Sequence, residues 1–185
     1  MSHPSGFLPM VEVFLSLGSN VAPREHIVQG LGLLHQRFGR LRFSPVYECP
    51  PVGFEGENFI NLVVGFDTDE PSSELAAALR AIESQCGRRR GAERFVSRTF
   101  DADLILYGDL VQQGPPVSLP RDDILRYAFV LRPLAELAPE RRHPVLKRTF
   151  ADLWRSFNTG DQPLWPLHPP LALGHFSGDH AGAME

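Results

Sequence analysis

Two stretches with helical spacing, each caught between strand-like runs, constrain this chain more than any other feature. Ile27, Leu31, Leu34 and Phe38 recur at helical intervals, and so do Leu75, Leu79, Ile82 and Cys86. Ahead of the first, Val11, Val13, Leu15 and Leu17 alternate with Glu12, Phe14 and Ser16, which predicts a strand with one strongly apolar face. Leu41 to Glu48 reads as a second strand, in which Pro45 implies an edge or a bulge. Phe59 to Phe66 is a third, and Phe100 to Tyr107 a fourth that Gly108-Asp109 ends as a turn. Pro23 suits a first helical position, Gly39 and Gly87 suit helix ends, and Ser72 or Ser73 is the expected cap of the second helix. Gly30 and Gly32 lower the propensity of the first helix, so packing must hold it. The order strand–helix–strand–strand–helix–strand is a ferredoxin-like βαββαβ core of the α+β class, with helices packed on an antiparallel sheet.

Beyond that core, Leu110 to Gln112 is expected to add an extra C-terminal strand. Pro115 to Arg126 reads as irregular, and Phe129–Leu137 and Phe150–Phe157 as short helices. The chain divides into one domain, 1–158, and a Pro/Gly/His-rich segment, 159–185, expected to be a flexible or loosely attached tail. His168, His175 and His180 in that segment have no metal-ligand spacing.

The 185 residues leave room for a substantial core, and a net charge of −4 argues against a dedicated nucleic-acid binder. Two cysteines, Cys49 and Cys86, stand without metal spacing, as expected in a reducing compartment. The first ten residues lack a basic start and an apolar h-region, and no apolar run reaches membrane-spanning length. A cytoplasmic chain, not bound to a membrane, is expected.

The chemistry concentrates between Gly87 and Gly108. Arg88, Arg89, Arg90, Arg94 and Arg98 lead directly into Asp101 and Asp103 at the head of the fourth strand. Side chains two apart on a strand share a face, roughly 6.6–6.8 Å from one another. Two carboxylates so placed can reach a pair of Mg²⁺ ions about 3.5–4 Å apart. Mg²⁺ accepts one or two carboxylates together with water and phosphate oxygens. Guanidiniums grip phosphate bidentately, so the combination suits a nucleoside triphosphate. Taken separately, an arginine run also reads as a solvated face or a nucleic-acid patch, and an Asp-x-Asp as a strand-edge feature.

Several pieces then fall in a telling order: a strand ending in Gly18-Ser19-Asn20, then Pro50-Pro51-Val52-Gly53, then Phe59-Ile60-Asn61. They are followed by Glu83, Gly87-Arg88, Arg94, Arg98-Thr99, Asp101 and Asp103. From about Val11 to Phe157 the chain resembles the 6-hydroxymethyl-7,8-dihydropterin pyrophosphokinases of the folate pathway. Its most specific piece, RTFDADLILYG, is similar to that family's R-[ST]-x-D-x-D-[LI] signature. The resemblance implies transfer of the β,γ-diphosphate of ATP to the hydroxymethyl group of the pterin, with release of AMP. It implies that Asp101 and Asp103 hold two Mg²⁺ ions and that Arg88 and Arg98 act on the phosphates in catalysis. It further implies that Glu83, Arg90 and Arg94 line the nucleotide side. Asn61 would read the pterin edge, Phe59 and Phe129 would sandwich the ring, and Pro50, Val52, Cys49 and Phe95 would complete its pocket. Cys49 stands where the family commonly has threonine or serine, which reads as a packing change. The partners are then ATP as co-substrate and the pterin, with a monomer expected and neither nucleic acid nor membrane.

After the fourth strand the sequence departs from the family pattern. Arg121 replaces a histidine, Tyr127 replaces an arginine, and Phe95 stands at a tryptophan position. Arg121 and Arg126 are the expected ATP-side substitutes, whereas Asp122 and Asp123 add negative charge near the triphosphate. These departures define a second reading, a pterin-binding paralogue with an altered ATP side. A ferredoxin-like nucleic-acid binder would want exposed sheet aromatics and a more basic chain.

Overall fold

The computed structural model describes residues 9–87 and 99–178. Its strands are β1 Val11–Ser19, β2 Arg42–Phe43, β3 Tyr47–Cys49, β4 Phe59–Thr68, β5 Asp101–Tyr107 and β6 Trp165–Pro166. Its helices are α1 Pro23–Phe38, α2 Ser72–Gln85, α3 Asp123–Arg126, α4 Ala128–Leu137 and α5 Phe150–Arg155. The sheet runs β5-β1-β4-β3-β6, all antiparallel, with β2 also paired to β4. The βαββαβ core expected from the periodicities is therefore present.

Alternation along the strands separates two cores. Leu15, Leu17, Leu62 and Val64 face Ile27 and Leu31 of α1 and Leu75 and Leu79 of α2. Phe14, Val63 and Ile105 face the other way, onto Val130 and Leu134 of α4 and Phe150 of α5. The propensity lost at Gly30 is recovered by a close approach. Phe100 is fully buried, and a Cβ on Gly30 would stand 2.3 Å from its ring. Helix α1 is thus seated on the residue immediately before Asp101.

Four expectations require correction. The second strand is not continuous but broken at the bulge expected at Pro45, where Ser44, Pro45 and Val46 stand opposite only Val63 and Leu62. Pro45 has no N–H, and the hydroxyl of Ser44 accepts from Val63 N at 2.8 Å across the bulge. Helix α2 takes neither serine as its cap: Pro71 holds that position without a side-chain cap bond, and its carbonyl accepts from Leu75 N. Leu110–Gln112 supplies only a single bridge, Gln112 to Leu119, and the stretch expected to be irregular contains the one-turn α3. The extra strand is instead β6. Trp165 and Pro166 pair with Glu48 and Tyr47, while Leu167 and Phe176 are buried in the first core. Phe176 O accepts from Leu41 N at 3.0 Å, and its ring meets His35 edge-on. Apolar side chains spaced irregularly among prolines carry no period, yet Leu167 and Phe176, with Leu171 and Leu173 packed beside them, seat residues 165–176 on that core.

The connection between α4 and α5 is tied by a buried histidine. His143 Nδ1 accepts from Val145 N at 3.2 Å and Leu146 N at 3.1 Å, which only the neutral ring can do. Burial lowers its pKa from the ordinary 6.5, with Asp122 opposing.

Two outcomes follow from this packing. Gly30→Ala should lower stability by about 1–3 kcal/mol through overpacking against Phe100, read from urea unfolding. Because His143 is held neutral, its contribution is full above pH 6.5 and declines as pH falls from there through its lowered folded value. A pH series of melting temperatures should show this decline in the parent chain and a shallower one in His143→Gln.

Candidate active site

The first aspartate of β5 sits directly across from Gly18 of β1, and Gly18 sits directly across from Asn61 of β4. Asn61 in turn faces Tyr47 of β3. Residues opposite one another in an antiparallel sheet share a face, so Asp101, Gly18, Asn61 and Tyr47 form one row across four strands. The next rows place Asp103 opposite Ser16, and Phe59 opposite Cys49. This is the face turned away from α1 and α2. At a strand spacing of roughly 4.8 Å, Asp101 and Asn61 lie about 10 Å apart.

Gly18 makes the row possible. A Cβ there would come within 2.9 Å of Asn61 Oδ1 and 3.7 Å of the Phe59 ring. The absent side chain lets the asparagine amide lie flat over the central strand. Asn61 is 4 % exposed, and its Nδ2 donates to Cys49 Sγ at 3.1 Å. Cys49 therefore does more than fill space, since it orients the amide expected to read a heterocycle edge. Burial, opposed by Asn61, pushes its thiol up to about 11, so it stays protonated and is no nucleophile.

Tyr47, which sequence reasoning missed, walls the same face. Its hydroxyl donates to Glu136 Oε1 at 2.5 Å, and Arg132 lies 4.7 Å from its ring centre. Burial, followed by Glu136, pushes the phenol up to about 12. Phe54 was also missed. It meets Phe59 edge-on at 6.2 Å, so the loop after β3 brings an aromatic onto the aromatic at the head of β4. That loop is tied down by Asn20 Nδ2, which donates to Glu57 O at 3.3 Å, and by Asn58 Nδ2, which donates to Glu48 at 3.1 Å. The only hint in the sequence was the placement of Phe54 between two glycines.

At the other end of the row, β5 is held from outside. Glu83, expected to line the nucleotide side, is 6 % exposed and accepts from Ala102 N, the amide between the two aspartates, at 3.0 Å. Further along, Arg121 N donates to Ile105 O at 3.0 Å. Arg121 Nη1 lies 3.8 Å from Asp103, and its Nε donates to Asp123 at 2.9 Å. Burial works against the charge of Arg121, and Asp103, Asp123 and Asp101 outweigh it, so its pKa is raised. Two half-exposed carboxylates on one face beside a fixed guanidinium suit Mg²⁺ that keeps water and phosphate ligands; no group of three or more His, Cys, Asp or Glu gathers for a metal among the described residues.

The remaining expected residues lie on the loop after β3, on α3 and α4, or outside the described residues. Pro50 is half-buried in the loop after β3, and Val52 is exposed there. Phe129 is half-buried at the start of α4 and stacks on Tyr127 at 5.0 Å. Arg126 lines an open pocket of about 360 Å³ with Leu131 of α4 and Leu153, Ser156 and Phe157 of the α5 region. Arg88, Arg89, Arg90, Arg94, Phe95 and Arg98 lie outside the described residues.

Residues 14–139 match the model of the 7,8-dihydro-6-hydroxymethylpterin-pyrophosphokinase family. The chain belongs to this family. Among its relatives, a 2-amino-4-hydroxy-6-hydroxymethyldihydropteridine pyrophosphokinase of Pseudomonas aeruginosa is 39% identical over 71% of this chain and 83% of its own length. An enzyme of the same name from Aquifex aeolicus is 32% identical, covering 75% of this chain and 88% of the relative. Solved structures share the fold: Plasmodium falciparum HPPK-DHPS aligns over 82% of this chain with a TM-score of 0.62 at 16% identity. This chain spans only 45% of that longer one. No helix among the described residues is long and apolar enough to cross a membrane.

The burial of both cysteines gives a direct check on the site geometry. Cys49 and Cys86 are each buried, with thiols pushed up by burial. In the native protein at pH 8, Ellman's reagent should leave both nearly unmodified, and denaturation should release two equivalents, one per cysteine. Rapid labelling of one thiol in the native protein would mean that the Cys49–Asn61 contact opens.

Proposed function

We propose that this chain transfers the β,γ-diphosphate of ATP to the hydroxymethyl group of 6-hydroxymethyl-7,8-dihydropterin, releasing AMP. The observation that carries this reading is the row Asp101–Gly18–Asn61, which puts a carboxylate pair and an oriented amide on one sheet face, two strands apart. Membership of the pyrophosphokinase family and the names of its relatives support it. The paralogue reading gains no support from those names.

Asp101 and Asp103 would hold Mg²⁺, as two ions, at the edge of the sheet. The metal, when bound, supplies charge neutralisation to the triphosphate. The protein's own residues do the positioning. Glu83 fixes the backbone between the two aspartates. Asn61, oriented by Cys49 and accommodated by Gly18, offers a fixed donor–acceptor edge to the flat heterocycle. Phe59, braced by Phe54, offers an aromatic face, and Phe129 is the second member of the proposed sandwich. The hydroxymethyl oxygen must then lie between that pocket and the aspartate edge, in line with the phosphate chain. Arg121 contacts the phosphates from beside Asp103, together with Arg88, Arg90, Arg94 and Arg98 as the family resemblance implies, and Arg126 is the remaining candidate on that side. In this reading the chain works in the cytoplasm as a monomer on two small molecules.

Asp101→Ala tests the assignment. AMP release in the presence of pterin, ATP and Mg²⁺ should fall at least about a thousandfold, while pterin affinity by calorimetry changes by less than about threefold. Substantial turnover by this variant would remove the carboxylate pair from the mechanism.

A further inference from the structure

The basic residue that replaces the family's histidine is not simply a substitute donor. Arg121 is anchored at both ends. Its backbone N–H is bonded to Ile105 of β5, and its Nε is held by Asp123 two residues on. This geometry delivers the guanidinium to Asp103, with Nη1 3.8 Å from Oδ1. It also accounts for an acidic residue where a triphosphate is expected to lie, because the charge of Asp123 is paired to Arg121 at 2.9 Å.

A fixed cation at that point acts with opposite sign on the two components of the substrate complex. Toward a divalent ion approaching Asp103 alone, it is repulsive at contact range. Toward a triphosphate, it is an attractive, charge-assisted donor whose direction is already set. We infer that Arg121, held by Asp123, suppresses binding of free divalent cations at Asp101 and Asp103 and so couples metal entry to arrival of the nucleotide. The inference rests on the proposed reading that these aspartates hold the metal.

The full chain, its Arg121→Gln, Asp123→Asn and Asp103→Asn variants, and the Arg121→Gln/Asp103→Asn double variant would be compared. Two measurements suffice: free Mn²⁺ binding in the absence of nucleotide, by electron paramagnetic resonance, and calorimetry with a non-hydrolysable ATP analogue and Mg²⁺. Arg121→Gln should bind Mn²⁺ alone about tenfold more tightly than the parent and the Mg²⁺–nucleotide about tenfold more weakly. Asp123→Asn removes the neutralising partner and should weaken Mn²⁺ binding below that of the parent. A residue that merely shaped the loop would weaken both ligands when replaced. Mn²⁺ binding by Arg121→Gln that is no tighter than the parent's overturns the inference. Asp103→Asn separates that failure from failure of the underlying reading. If Asp103→Asn lowers Mn²⁺ affinity while Arg121→Gln leaves it unchanged, only the coupling fails. If it has no effect in either background, the metal assignment itself fails. Circular dichroism melts of each variant confirm that the comparison is among folded proteins.

Discussion

Among the described residues, the candidate site hangs on the pairing of β1 with both β4 and β5. The strand is central, its register is set on both sides, and its penultimate residue is a glycine. A slip of one residue on either side would turn a functional side chain to the opposite face. The register is held by the apolar alternation of Leu15 and Leu17 against Leu62 and Leu104, all buried on the α1–α2 face. Hydrophobic burial on one face thus fixes the position of polar groups on the other.

The functional face is itself divided along its length. Toward one end, Phe14 and Ile105 are covered by α4 and α5. Toward the other end, the same face carries Ser16, Gly18, Asn61, Asp101 and Asp103. Each of its borders is braced by a buried polar bond. Glu83 reaches the backbone of β5, and Cys49 reaches the amide of Asn61. Buried polar groups with partners of this kind rigidify what they touch, which suits a site that must present charge and amide at a set separation.

Much of this was legible in the sequence because it is written in periodicity. The strand and helix order, the turn at Gly108 and the shared face of Asp101 and Asp103 all follow from the spacing of apolar side chains. What escaped lacks a period. The bulge expected at Pro45 is there, but its brace escaped: the Ser44 hydroxyl accepts from Val63 N, a bond visible only once β4 is alongside. Tyr47 joins the candidate site only through its cross-strand neighbour Asn61, and the contact of Cys49 with that amide likewise needs β4 alongside, which a single strand does not reveal. Glu83 was expected on the nucleotide side, and its bond to the backbone of β5 emerges only once β5 is laid against α2. The α2 cap was misread because Ser72 and Ser73 both have the right chemistry, and the extended backbone at Pro71 decided between the possibilities. The attachment of residues 165–176 rests chiefly on Leu167 and Phe176, apolar residues whose spacing has no period.

That attachment decides how the sheet terminates. Strand β6 is two residues long, and the second, Pro166, has no N–H to offer an incoming chain. Leu167 N, the next donor along, is already engaged by Val46 O at 3.0 Å. The longer β3 edge beneath would otherwise be open beside Asn61 and Cys49 of the candidate site. By laying a short, proline-ended strand over it, the chain carries its own stop against strand addition, and a stretch that looks like an untidy appendage serves as a guard against aggregation.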